Sequence, residues 1–274
     1  MRTAPLIHRP DPIRGYTERE AGEYLKRYAR RRVKKRDRFR LAVTYIQNAS
    51  ARAVATFPSA SWTSAPTASN ILIATVVRYP TAATTLTGVS GASSGAFTNI
   101  PGASVTQTVA GVYVLYLDSF YVTAAGGKEN ITASGSGTGF ATTLDIYVYE
   151  IPPSVLGQSV TGSGNSSTPA TSSGLTVVAG SFALATTLID NGYGFATGWW
   201  TAGNGFTLAN QTGGFAESSA DMWLNQSGAG TIPGSGNFVP AAGTTGAGPW
   251  ITNMVTFKPS GGAVADNSAF LMFT

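Results

Sequence analysis

The spacing of hydrophobic and polar positions changes once along the chain, near residue 41. Before that point, Ala21, Tyr24, Leu25 and Tyr28 recur at helical spacing. Thr17 followed by Glu20 forms a capping box, and Glu18, Glu20 and Glu23 sit where the helix dipole is positive. The pattern predicts a helix from about Glu18 to about Arg38, with an apolar stripe in its first half only. Residues 1–16 have three prolines and no period, and are expected to form an extended arm.

Beyond residue 41 the period becomes two. "LAVTYIQ" (41–47), "AVATF" (53–57), "VYVLYLDSF" (112–120) and "TLDIYVYEI" (143–151) are predicted strands. In the last, Leu144, Ile146 and Val148 face one way, and Asp145, Tyr147 and Tyr149 the other. "NILIATVV" (70–77) is a continuous apolar run, expected as a strand buried on both faces. A turn-rich stretch, "GQSVTGSGNSSTPATSSG" (157–174), is either a linker between two lobes or a long loop within one sandwich. A second series follows: "LTVVAGSFALATTLI" (175–189), "GFTLANQ" (205–211), "ADMWLNQ" (220–226) and "WITNMVTFK" (250–258). Many strands with no helical pattern among them indicate an all-β body, a jelly roll or two-sheet β-sandwich, preceded by the basic arm and helix. Its predicted core includes Ile71, Ile73, Val76, Leu144, Ile146, Val148, Val255 and Phe257. The expected organisation is 1–40 arm and helix, 41–260 body, and 261–274 apolar tail.

Charge sharpens that division. Residues 1–40 carry fourteen Lys/Arg and five Asp/Glu, a net of +9; residues 41–274 carry four and eight, a net of −4, giving the overall +5. Ten of the cations lie between Tyr24 and Arg40: Lys26, Arg27, Arg30, Arg31, Arg32, Lys34, Lys35, Arg36, Arg38 and Arg40. Such asymmetry marks a segment with a partner of its own. The body is correspondingly poor in charge and rich in Gly, Ser, Thr and Ala. There is no cysteine, which excludes disulfides and thiolate metal sites. No apolar run is long enough to span a membrane, and no secretory signal is expected at the N-terminus.

The motifs "TFPSASWTSAPTASNILIATVV", "YVLYLD", "ITASGSGTGFATTLDIYVYEI", "GSGNSSTPATSSGLTVVAGSFALA" and "PWITNMVTFKPS" occur in that order. Together they resemble a diffuse family of bacterial and bacteriophage surface domains with a jelly-roll, lectin-like or concanavalin-like sandwich. That family pairs an "AGNLLVA" motif near its start with "DIYEYSG" mid-domain and "WxxxMVTFK" at the end. The resemblance covers roughly residues 53–260, leaves the basic segment outside, and implies architecture rather than activity.

Catalytic chemistry is sparsely represented. The one histidine, His8, lies in the arm, so a histidine base or ligand is missing from the body. Asp118, Asp145, Glu150, Asp190, Glu217 and Asp221 are the carboxylates from which a glycosidase pair would have to come; the plainer expectation is that Asp118 and Asp145 are solvent-face residues. "GSGTGF" (135–140) lacks the lysine and helix of a phosphate loop. No enzyme activity, cofactor or metal site is expected.

Two other features suggest binding. Trp199 and Trp200 are adjacent, and on a strand one would face outward, toward a sugar ring or a neighbouring subunit. Phe270, Leu271, Met272 and Phe273 close the chain as an apolar tail suited to an interface. The resulting expectation is a non-enzymatic bacteriophage virion protein, a capsid decoration or head-fibre protein on the outer surface. It would be docked through the basic segment to an acidic capsid or tail surface, and would form homo-oligomers. The alternatives are an extracellular or tail-fibre carbohydrate-binding module recognising a cell-surface glycan, and a jelly-roll capsid protein whose arm binds nucleic acid. No membrane partner is expected.

Overall fold

The chain divides into two compact units, Met1–Leu41 and Ala42–Thr274. The computed structural model describes residues 43, 45–79, 85–109, 113–136, 143–190, 199–213, 217–241 and 247–260. The predicted arm, the helix at 18–38 and the apolar tail lie outside the described residues.

The described residues form strands, turns and loops, with no helix among them. The first half of the body runs β1 (Gln47–Val54), β2 (Ser59–Ser61), β3 (Ile71–Tyr79), β4 (Thr85–Gly91), β5 (Gly95–Ala96), β6 (Thr98–Asn99), β7 (Val105–Val109), β8 (Tyr113–Thr123), β9 (Asn130–Ser136) and β10 (Thr143–Ile151). The second half runs β11 (Ser154–Ser166), β12 (Leu175–Val177), β13 (Ser181–Asp190), β14 (Trp200–Ala202), β15 (Thr207–Gly213), β16 (Glu217–Gln226), β17 (Gly230–Ile232), β18 (Phe238–Pro240) and β19 (Gly248–Pro259).

The two halves repeat one strand topology. The main sheet of the first half has the order β1-β10-β3-β8, with β6 and β7 following one another along the far edge of β8. The main sheet of the second half has the order β11-β19-β13-β16-β15. Matching the strands by chain order superimposes these paths, with β15 in the place of β6 and β7. The covering strands repeat as well. β2 pairs with β9 as β12 pairs with β17, and β4 pairs with β9 as β14 pairs with β18. With Thr75 taken as the counterpart of Thr186, which matches inner and outer faces, the registers set the remaining equivalences. Thr75 pairs with Ser119 and Tyr147; Thr186 pairs with Asp221 and Asn253.

The two main sheets pack face to face as a β-sandwich. Ile73, Val77, Leu115, Leu117, Tyr147 and Tyr149 of one meet Phe182, Leu184, Leu188, Ile251, Val255 and Phe257 of the other. Their outer faces are covered too. Leu72, Ala74, Val76, Ile146 and Val148 lie under Ala60, Val89, Ile131 and Ala133 of β2, β4 and β9. Ala183, Ala185, Ala220 and Met254 lie under Leu175, Val177, Ile232, Trp200 and Phe238. Antiparallel sheets commonly leave one face wet. Here both faces are dry, which is why β3 and β13 are buried almost end to end. All eight predicted core residues are buried.

Several sequence expectations need correction. The stretch 157–166, expected as linker or loop, belongs to β11, a thirteen-residue edge strand paired with β19. Its glycines serve close approach: a Cβ at Gly162 would lie 2.0 Å from the Ala170 carbonyl oxygen. The halves therefore join at Pro152 and Pro153, between β10 and β11. Among the described residues the first strand is "QNASARAV" (47–54), and Ala55 ends it with φ 60°. Asp145 alternates with Leu144 as expected, yet it is 2% exposed rather than solvent-facing, because the second main sheet covers that face.

Candidate functional site

Most of the body's described carboxylates are buried, and Asp145, Asp190, Glu217 and Asp221 gather where the main sheets meet. Arg52 of β1 and Asp145 of β10 are cross-strand partners. Arg52 donates from Nε to Oδ1 at 2.7 Å and from Nη2 to Oδ2 at 2.8 Å, the two-pronged geometry guanidinium favours. Its Nη1 lies 3.4 Å from Glu217 Oε1 across the interface. Thr212 and Ser219 of the second sheet also donate to Asp145. The Tyr147 hydroxyl bonds to Thr212 at 3.0 Å and Ser219 at 2.7 Å. Tyr79 is hydrogen-bonded to Asp190, and Tyr149 to Asp221. Burial pushes the Asp221 carboxyl up to about 7, with the hydrogen bonds from Tyr149 and Asn210 opposing that rise. Burial likewise raises the Tyr149 phenol, assisted by the adjacent Asp221 charge.

This seam fixes register between sheets; its acids are already engaged by protein donors. Glu150 accepts from Gln47 and the Thr67 amide, and Glu129 from Ser93 and Ser94. Of the carboxylates considered for glycoside hydrolysis, Asp118 lines a surface cleft. Asp118 lies on the outer face of its sheet and Asp145 on the inner face.

Among the described residues, an open cleft lies elsewhere. A cleft of about 420 Å³ lies on the outer face of the first main sheet, lined by Arg78, Thr85, Leu86, Thr87, Gly88, Asn99, Tyr116, Asp118 and Phe120. Period-two alternation on β8 sends Tyr116, Asp118 and Phe120 to this face, while Leu115 and Leu117 enter the core. Arg78 is the cross-strand partner of Tyr116, and its guanidinium carbon lies 4.2 Å from the centre of that ring. Arg78 Nη2 donates to Asp118 Oδ2 at 2.7 Å, with side-chain exposures of 5% and 18%. Thr85, Thr87 and Asn99 are exposed. The cleft opens beside a bulge in β4 between Leu86 and Gly88, where the covering sheet departs from regular pairing with β9.

The second half shows what this position looks like when filled. By strand register, Arg78 corresponds to Ile189, Tyr116 to Ser218, Asp118 to Ala220 and Phe120 to Met222. There Trp200 packs into the outer cluster, and its indole nitrogen donates to Ser218 at 3.0 Å. Trp199 and Trp200 are 9% and 2% exposed and contact each other edge to face. Neither indole offers the open face a sugar would stack on. The strand alternation expected of the pair does not apply, because β14 begins at Trp200.

The basic docking residues from Lys26 to Arg40, and the tail residues Phe270, Leu271, Met272 and Phe273, lie outside the described residues. The cleft was not anticipated from sequence. Its signal was present in "VYVLYLDSF", where two aromatics and an acid share one face. No family model, curated protein or solved structure matches the chain.

Proposed function

We propose that this chain is a non-enzymatic structural protein of a bacteriophage particle, a capsid decoration or head-fibre protein whose jelly-roll-type body is displayed outward from a basic docking segment. The observation that carries this reading is charge segregation, +9 over residues 1–40 against −4 over residues 41–274. The body deepens that contrast. Arg52 and Arg78 are held in ion pairs with Asp145 and Asp118. Lys128 and Lys258 are then the exposed cations among the described residues. A basic surface is therefore supplied by the N-terminal segment, which suits an acidic particle surface and predicts salt-sensitive docking. The motifs resembling bacteriophage surface domains support the particle context.

The test compares the full chain with a chain beginning at Ala42, each added to particles lacking the protein. The full chain incorporates, and rising salt weakens it; the shortened chain folds but stays in solution. Equal incorporation of the two overturns the docking role. Cross-linking of residues 26–40 to packaged nucleic acid instead of capsid protein would replace it with genome binding.

A further inference from the structure

We infer that the cleft between β4 and β8 is a binding site for a neutral saccharide. This goes beyond the docking reading and stands apart from it, since the site is formed by the body alone. Its volume, about 420 Å³, falls in the range of small-molecule sites.

The chemistry of the lining selects the ligand. Its two charged groups, Arg78 and Asp118, neutralise each other through a 2.7 Å bond, so the cleft offers no net charge to an anion or cation. That bond uses Asp118 Oδ2; Oδ1 has no protein donor among the described residues and is free to accept from ligand hydroxyls. Asn99 supplies both a donor and an acceptor, and Thr85 and Thr87 add hydroxyls that do either. Tyr116, Phe120 and Leu86 supply apolar surface beside these groups. A sugar ring presents the same mixture: C–H faces with hydroxyls on the rim, each needing a partner once desolvated.

The duplication serves as an internal control. The equivalent position in the second half carries Ile189, Ala220 and Met222, and is covered by Trp200. A fold that can close this space with an indole has no structural need for an open cleft lined by a buried arginine and its aspartate. In the first half the polar set and the opening occur together.

Saturation-transfer NMR on the full chain tests the inference, with methyl α-glucoside, methyl α-galactoside and methyl α-mannoside as neutral probes and N-acetylneuraminate as an acidic one. At least one neutral glycoside receives transfer, and the amide shifts it causes centre on Thr87, Gly88, Asn99 and Asp118. Asn99→Ala, at an exposed position, weakens that binding about tenfold. Absence of transfer from all three neutral glycosides overturns the inference. So does transfer undiminished in a folded Asn99→Ala variant, or transfer only from the acidic sugar.

Discussion

The hydroxyl of Tyr149, on one main sheet, donates to the carboxyl of Asp221 on the other. Asp221 is fully buried, and Asn210 adds a donor at 3.3 Å. Burial, opposed by these hydrogen bonds, brings its pKa up to about 7 from an ordinary 3.8. The folded state therefore holds this proton over a range in which the unfolded chain has released it. Stability from this group is full below about pH 3.8, erodes as pH rises, and is gone above about pH 7. The amount at stake is on the order of a few kcal/mol. Burial raises the Tyr147 phenol, and the charges of Asp145 and Asp221 both add to that rise. Thermal unfolding followed from pH 5 to pH 8 should show the melting temperature falling, and Asp221→Asn should remove most of that slope. An unchanged slope in the variant would place the titration elsewhere.

Arg52 and Asp145, cross-strand partners within the first main sheet, make a different kind of bond at the same seam. Removing the cation alone leaves a carboxylate buried to 2% exposure facing Glu217. Arg52 keeps 22% of its side chain exposed, so water softens the loss. Arg52→Met should destabilise by about 3 kcal/mol, at the low end for breaking a buried pair. Adding Asp145→Leu should restore part of it, since the unpaired charge goes with its partner. Urea unfolding of the two single variants and the double variant measures the coupling. Strict additivity would mean that the pair contributes nothing as a pair.

The uneven legibility of the sequence has physical causes. Ile71 to Val77 and Leu144 to Val148 were readable because burial on both faces writes a continuous or alternating apolar pattern. β1 was not, because Gln47, Asn48, Ser50 and Arg52 carry little strand propensity and are held by pairing with β10 and by the Asp145 bond. The duplication left little trace in residue identity. Leu115 corresponds to Glu217 and Leu117 to Ser219, so one half is apolar where the other places the polar seam. The cleft draws Arg78, Asn99 and Asp118 from three strands whose register no local pattern specifies. The tryptophan pair drew attention by composition, and the covering layer took both rings inside.

Glycines separate the two meanings of a turn-like residue. At Gly162 in β11 a methyl group would meet the Ala170 carbonyl oxygen at 2.0 Å, a contact of backbone with no flexible end to yield. At Gly88 in β4 the same methyl group meets nothing within 4 Å. Neither residue has a positive φ, so the comparison isolates space from backbone strain. Gly162→Ala should lower stability by about 1–3 kcal/mol through overpacking. Gly88→Ala should be neutral, or raise stability by up to about 1 kcal/mol by restricting the unfolded chain. Melting temperatures of the two variants decide the matter; equal losses would show that β11 is no more tightly approached than β4.

The repeated topology also predicts how the body comes apart. Each main sheet buries one face against the other, and that shared layer contains Leu115, Leu117, Tyr147 and Tyr149 from the first half and Phe182, Leu184, Val255 and Phe257 from the second. A half expressed alone keeps its outer cover but exposes this layer, together with seam groups deprived of a partner, such as Asp221 without Tyr149 and Glu217 without Arg52. The exposed patch would exceed what soluble monomers carry. Residues 43–153 or 154–260 alone should therefore be unfolded or self-associated. Co-expressed, they should recover a one-to-one complex with the strand content of the intact body, since the Pro152–Pro153 connection is a short turn between complete sheets. Sedimentation and circular dichroism of the separate and combined halves make the check. A stable, monomeric, folded half would mean that the central layer is an interface between independent domains rather than the core of one.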